Sequence, residues 1–409
     1  MKLRDYQREI VNKGLPVLRK DKFLYLALEV RTGKTLTSLS MSNLLPVTNL
    51  LFLTKKKAIS SIERDYQMLS PIFDITVINY ESIHKIPQRG YDMVILDEAH
   101  SLGAYPKPSK RAKQVKSLIL ENNCYVILLS GTPTPESYSQ MYHQVYSISK
   151  NPFKEYKNFY HFAKVYVDVK QKRIGSMPIN DYSGGSEKIL YDMQPYTISY
   201  TQKEAGFKVD TTEEICYVDV CPTVLELIKR LKKDRVIQGR EEVILADTGV
   251  KLMSKTHQLF SGTVKFESGK AQVFCTAKGK YIYNKFKGKK IAIFYKFKAE
   301  LEALQEVYAG RLCENLEEFN TTDKSIALQI VSGREGISLK KAEALVYYNI
   351  DFSATSYWQS RDRMTTQDRL QNKIYWIFAK NGIEDKIYKA VVKKKDYTLN
   401  HFRKDLLDL

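Results

Sequence analysis

Short apolar runs recur along the chain, each closed by a polar or glycine-containing turn. In the first half they are Leu50 to Leu53, Ile75 to Ile78, Met93 to Leu96 and Tyr125 to Leu129, with a further run from Phe23 to Leu28. In the second half they are Ile291 to Tyr295, Ile326 to Val331, Leu345 to Tyr348 and Ile374 to Phe378. Unbroken apolar runs, without alternation, predict strands buried on both faces, as in parallel sheets. Helix-like stretches separate most of them, for example Thr35 to Leu44, Ser109 to Leu120 and Lys298 to Tyr308. The alternation predicts an α/β fold of two parallel-sheet lobes, with chemistry in the loops at the carboxyl ends of the strands.

Between the lobes, Asn151 to Lys290 changes character. It is rich in Tyr and Lys, contains a turn-forming Ser183-Gly184-Gly185-Ser186, and regains helical spacing from Thr223 to Arg235. The crossing between lobes is expected near residues 200 to 222. The resulting division is a first lobe over 1–150, an insertion and crossing over 151–215, and a second lobe over 216–409 with a helical insertion at its start. A chain of 409 residues suits such a division, because one hydrophobic core rarely organises so many.

Charge alters the picture. The 65 Lys and Arg exceed the 46 Asp and Glu by 19, an excess that favours a polyanionic partner, nucleic acid before an anionic membrane, because no basic amphipathic anchor stands out. The five cysteines, Cys124, Cys216, Cys221, Cys275 and Cys313, form no Cys-x-x-Cys pair and have no His at metal-ligand spacing. They read as reduced core thiols. With no apolar run of spanning length and no apolar leader in MKLRDYQRE, a cytoplasmic location is expected.

Three segments carry candidate chemistry. Arg31-Thr32-Gly33-Lys34-Thr35 lies between an apolar run and a helix, where a phosphate-binding loop belongs. Glycine lets the backbone approach phosphates, amides at the helix start donate to them, Lys34 neutralises the β and γ oxygens, and the Thr35 hydroxyl can ligate Mg²⁺. Taken alone the segment also suits a helix start without a nucleotide, since Leu28 replaces the first glycine of the pattern. Asp97-Glu98-Ala99-His100 leaves the strand end after Leu96. There Asp97 can hold Mg²⁺ through water and Glu98 can serve as general base. Ser130-Gly131-Thr132-Pro133 follows the next apolar strand, and its hydroxyls, with His100, are candidates for coupling the metal site to the second lobe.

In this order, and with Leu3-Arg4-Asp5-Tyr6-Gln7 at the start, these segments resemble the superfamily 2 (DEAH-box) helicases, and among them the Swi/Snf-type DNA translocases. The resemblance implies two RecA-like lobes with an ATP cleft between them, ATP and Mg²⁺ as cofactors, and Gln7 and Arg4 as adenine contacts. It extends to Thr54, Lys55 and Tyr80 as contacts to a nucleic-acid backbone. In the second lobe Ile293-Phe294-Tyr295 resembles motif IV, and Val331 to Leu339 resembles motif V, with Ser332 touching nucleic acid and Gly336 nucleotide. Trp358 to Arg363 resembles motif VI, with Gln359 at the nucleotide and Arg363 as arginine finger.

Two positions depart from the pattern: Arg31 stands where glycine is usual, and Thr366 where a second motif VI arginine is expected. Either Arg361 or Arg369 replaces it, or hydrolysis is weak. The reading is thus a monomeric ATP-dependent helicase or double-strand DNA translocase, a nucleic-acid-stimulated ATPase, from a compact bacterial or phage system for replication, recombination or repair. Its expected partners are single-stranded, duplex or branched DNA and other replication or recombination proteins. An ATP-gated DNA clamp with little turnover and an RNA helicase are the alternatives.

Overall fold

The computed structural model describes residues 3–174, 177–207, 210–333, 337–366 and 369–393. The chain divides into two compact units, Met1–Phe207 and Lys208–Leu409.

In the first unit β1 (Phe23–Leu28), β2 (Asn49–Thr54), β3 (Asp74–Asn79), β4 (Met93–Leu96) and β5 (Tyr125–Leu129) form where the apolar runs predict them. An antiparallel hairpin of β6 (Val167–Ile174) and β7 (Met177–Gly185) follows, and then β8 (Thr197–Tyr200). Six strands make one parallel sheet in the order β3-β2-β4-β5-β1-β8. Both faces are buried. Phe23, Tyr25, Leu51, Leu53, Val94, Leu96, Val126 and Leu128 belong to one core, and Leu24, Leu26, Leu50, Phe52, Met93, Ile95, Ile127 and Leu129 to the other. Each such side chain contributes about 1.5–3 kcal/mol on burial, which fixes the strand register because a slip by one residue would exchange the two cores.

The second unit opens with β9 (Asp210–Val218) and carries two short hairpins, β10 (Val236–Gln238) with β11 (Val243–Leu245) and β12 (Thr263–Lys265) with β13 (Ala271–Val273). Its parallel sheet is built from β14 (Ile291–Tyr295), β15 (Leu312–Cys313), β16 (Ser325–Gln329), β17 (Ala344–Tyr347) and β18 (Gln371–Ala379), in the order β15-β16-β14-β17-β18-β9. The α/β class with two parallel sheets is therefore as expected. No helix among the described residues is long and apolar enough to cross a membrane.

Three features differ from expectation. Ser183-Gly184-Gly185 belongs to β7 rather than a turn, because a Cβ on Gly184 would meet the Asp168 carbonyl oxygen at 2.4 Å and one on Gly185 the Ser139 nitrogen at 2.5 Å. Glycine there permits close backbone packing. The middle segment also supplies an edge strand to each sheet, β8 and β9. Finally, Cys221 and Cys275 are disulfide-bonded, whereas Cys124, Cys216 and Cys313 are buried free thiols. The bonded pair is 54 residues apart, and only the folding of the helix Pro222–Asp234 beside the segment after β13 brings their Cα atoms to 5.8 Å.

One ion pair is wholly enclosed. Lys278 Nζ lies 2.7 Å from Glu384 Oε1, with the side chains 2% and 0% exposed, and also donates to the Tyr348 carbonyl. Because removing one partner strands a buried charge, Lys278→Met should lower stability by roughly 3–5 kcal/mol in urea-induced unfolding, and Lys278→Met with Glu384→Leu should recover most of it.

Candidate nucleotide-binding site

Four neighbouring strands, β2-β4-β5-β1, end side by side in the first sheet, so the residues that follow them are neighbours although far apart in sequence. After β1 the chain runs through Glu29–Thr32 into the helix Lys34–Ser42, with Gly33 at its N-cap in the left-handed region (φ 75°). A Cβ on Gly33 would come within 2.4 Å of Gln7 Nε2, the movable end of a flexible side chain, so it is the left-handed backbone that favours glycine. Arg31 also has a positive φ, 70°, at the position where glycine is usual. The Thr32 hydroxyl donates to the Glu29 carbonyl at 2.7 Å, and Lys34 Nζ donates to the carbonyls of Leu28 (3.0 Å) and Glu29 (3.3 Å). Thr35 stands in the first turn of the helix.

The N-terminal segment is pinned to this loop. Gln7 Nε2 donates to the Gly33 carbonyl (3.3 Å) and Thr37 Oγ1 (3.4 Å), while its Oε1 accepts from the Arg4 amide (3.0 Å). The Tyr6 hydroxyl donates to the Thr32 carbonyl, and its ring stacks on Tyr200 of β8 at 5.5 Å. Arg4 is exposed, with its guanidinium 3.4 Å from the Tyr6 hydroxyl. Gln202, just beyond β8, donates from its side chain to the Val30 carbonyl and from its backbone to the Glu29 carboxylate. Nothing in the residue pattern marked Tyr200 or Gln202, because they reach the loop only through the pairing of β8 with β1.

Asp97 continues the ladder beyond β4, its amide donating to the Leu53 carbonyl at 2.8 Å. Burial, with the adjacent Glu98 charge, raises its carboxyl to about 6, against the lowering effects of the Thr54 hydroxyl (2.8 Å) and Lys34. Glu98 adopts a left-handed backbone (φ 49°) that turns the chain out of the strand. Nδ1 of buried His100 lies 3.3 Å from Glu98 Oε2 and 3.0 Å from Ser130 Oγ, which accepts from the Thr132 amide at 3.1 Å. The Thr132 hydroxyl oxygen is buried without a hydrogen-bond partner. The structure thus brings Lys34, Asp97, Glu98, His100, Ser130 and Thr132 into one neighbourhood.

Thr54 and Tyr80 do not present themselves to a polymer. Both are buried, with Thr54 on the Asp97 carboxylate and the Tyr80 hydroxyl donating to the Asp97 carbonyl at 2.6 Å. Lys55, one residue beyond Thr54, is half-buried.

In the second unit Arg363 is 6% exposed in the turn Asp362–Met364, and its carbonyl accepts from the Leu339 amide, tying the motif V and motif VI segments together. Ser332 and Gln359 fall on the helices Ile330–Gly333 and Ala354–Arg361, their side chains outside the described part of the chain, and Gly336 lies outside the described residues. Both candidates for the missing arginine are engaged. Arg369 donates to the carbonyls of Gln371, Lys340 and Glu343, while Arg361 pairs with Glu213 at 2.6 Å. Glu213 of β9 also accepts from Tyr357, Trp376 and Tyr388. At the ends of β14 and β17, Lys296 and Asp351 pair at 2.8 Å, and Asn349 links His257 to Glu300. None of these residues stood out in sequence, since each lies in an ordinary apolar or mixed context.

A glycine-containing loop with a lysine, leading into a helix and placed beside two adjacent carboxylates at the ends of parallel strands, has the chemistry that a nucleotide-phosphate site on an α/β scaffold needs. Over residues 50–205 the chain matches the family model of the SNF2-related domain, in line with the sequence resemblance. The match takes in the acid pair and Ser130–Thr132 but begins after the phosphate-type loop. No curated protein matches the chain. The solved structures that resemble it include the Sulfolobus solfataricus SWI2/SNF2 ATPase core in complex with dsDNA and the same organism's core domain alone. The first is 15% identical, with a TM-score of 0.42 and coverage of 96% of this chain and 91% of that one. The second is 16% identical, with a TM-score of 0.42 and coverage of 96% and 89%.

The donor set fits Mg²⁺, which takes oxygen ligands and keeps waters and nucleotide oxygens, so one carboxylate and one hydroxyl suffice. Asp97 must be ionised to serve. Its raised value means that the folded chain holds the proton more tightly than the unfolded one, so ionisation costs the metal-free fold stability as pH rises through about 6. The Mg²⁺-dependent part of nucleotide affinity should therefore grow as pH rises through about 6, and Thr54→Val, which deletes a donor to the carboxylate, should move that midpoint upward in nucleotide titrations between pH 5 and 8.

Proposed function

We propose that the protein is an ATP-driven DNA translocase of the SNF2 type, acting in replication, recombination or repair. The observation that carries this reading is the convergence of the Gly33-Lys34-Thr35 loop, the Asp97–Glu98 pair and the His100–Ser130–Thr132 chain on adjacent strand ends, within a unit that holds an SNF2-related domain. Lys34 and the amides at the helix start bind the β and γ phosphates, with Arg31, Thr32 and Gly33 shaping the loop. Gln7, buttressed against that loop, reads the adenine, and Arg4 flanks it. Thr35 and Asp97 hold Mg²⁺, which supplies charge neutralisation at the phosphates when bound. Glu98 takes the proton of the attacking water, and His100 orients Glu98 and passes its state to Ser130 and Thr132. In the second unit Arg363 is assigned to the charge that develops on the γ-phosphoryl group, with Gln359 and Gly336 as supporting nucleotide contacts. The excess of 19 positive charges supports a nucleic-acid track, with Lys55 and Ser332 as backbone contacts.

Glu98→Gln should bind Mg²⁺-ATP like the parent yet hydrolyse it roughly 10²- to 10⁴-fold more slowly, and Lys34→Ala should lose affinity itself. Steady-state hydrolysis measured with single-stranded, duplex and branched DNA and with RNA tests the track: stimulation by a DNA form supports the reading, and stimulation by RNA alone overturns it.

A second reading is favoured by the engagement of Arg361 with Glu213 and of Arg369 with three carbonyls, which leaves Thr366 unreplaced: an ATP-gated DNA clamp with little turnover. The two differ at Arg363. In a motor, Arg363→Ala should cost about 10³-fold or more in DNA-stimulated hydrolysis; in a clamp there is no such rate to lose.

A further inference from the structure

Away from the phosphate loop, the first unit holds a cavity of about 320 Å³ between the Tyr105–Ser109 loop, the helix Met141–Val145 and the segment leading into the helix Phe159–Tyr166. Its walls are aromatic, including Tyr142, Tyr146, Tyr156, Phe159 and Tyr160. Lys107, Lys116, Lys154 and Lys157 line it as well, and among the described residues the nearest carboxylate in sequence, Glu155, reaches the hydroxyl of the lining Tyr156.

The cavity is built by specific bonds. Asn151 donates to the Ile148 carbonyl and accepts from the Phe153 amide, Asn158 caps the following helix through the His161 amide, and the Tyr142 hydroxyl donates to the Tyr156 carbonyl. Polar edges remain inside this shell. His143 Nδ1 lies 2.6 Å from the Ala104 carbonyl and so carries the proton there, and burial keeps the ring neutral, its value lowered to about 4. Its Nε2 is then an acceptor. The Tyr146 hydroxyl is buried without a hydrogen-bond partner, and the Lys116 ammonium sits over the Tyr146 ring at 4.4 Å.

We propose that this cavity takes an unpaired nucleotide, its base against the rings of Tyr146, Tyr156 and Tyr160, which Phe153, Phe159 and Tyr142 back from beneath, and its phosphate on the lysines. Flat aromatic walls accept any base by stacking, and a rim in which four lysines outnumber the one neighbouring carboxylate, Glu155, favours the phosphate that a base carries. The helix that forms the floor also reaches the ATP-site loops: Gln144, next to His143, donates to the Pro133 carbonyl and accepts from the Tyr25 hydroxyl. An occupant is therefore one helix away from the Ser130–Pro133 loop, and the cavity is a place where a strand could bias hydrolysis. The strand source rests on the DNA reading above; the cavity itself does not.

The test uses the full chain with two photoreactive probes, free 5-bromo-dUMP and a single-stranded oligonucleotide containing 5-bromouracil, followed by peptide mapping. Labelling between residues 142 and 160 by either probe supports the proposal, and the productive probe identifies the source as free nucleotide or strand. Exposed Tyr160→Ala should weaken binding of that probe by roughly fivefold or more. For the strand, Lys154→Glu with Lys157→Glu should reduce the salt slope of binding by about 1.4, with basal ATP hydrolysis unchanged. Labelling by neither probe in this segment overturns the proposal, even if DNA binds elsewhere and the DNA reading stands. If no strand binds at all, the DNA reading fails and the free-nucleotide arm decides the cavity alone.

Discussion

The first unit depends on parallel strands that must be covered on both faces and yet end together in the open. Helices on each side keep β2, β4, β5 and β1 apolar along their length, so polar groups collect at the one edge where the strands stop. The ladder bond from the Asp97 amide to the Leu53 carbonyl sets Asp97 level with Thr54, and burial at that level makes its charge costly. Lys34 and the Thr54 hydroxyl offset part of that cost. Two adjacent acids and one lysine are therefore held in electrostatic tension, which a divalent cation and phosphates can resolve.

The second unit repeats the architecture with a different resolution of charge. Its strand ends carry paired groups, Lys296 with Asp351 and Asn349 with Glu300 and His257, while the buried His257 Nδ1 has no hydrogen-bond partner. The motif VI helix is anchored from the opposite direction in sequence: Glu213 comes from β9, the edge strand of the middle segment, and accepts hydrogen bonds from Tyr357, Trp376 and Tyr388 while pairing with Arg361. A segment that reads as an insertion thus holds the helix that leads to Arg363.

Much of this was legible from residues alone. The buried strands were, because an apolar run flanked by turns has few alternatives, and β4 and β5 fall on the predicted residues. The loop at Gly33, the acid pair and Ser130–Thr132 were legible because their chemistry is local and follows a strand. The edge strands were not, since β9 alternates buried and exposed positions with charged residues that periodicity assigns to a surface. Nor was the placement of Thr54 and Tyr80, whose side chains reach Asp97 across strands and not along them.

By itself the sequence determined two parallel-sheet lobes and the residue types at the ends of their strands, because hydrophobic period and turn chemistry act over a few neighbours. Only the tertiary structure decided what depends on strand order and on side chains meeting over long separations. These include the raised carboxyl of Asp97, the clamp of Tyr200 and Gln202 on the loop, the bonding of Cys221 to Cys275, and the enclosed pair of Lys278 and Glu384. Burial and Coulomb interactions are set by distance in space, and no local pattern encodes that distance.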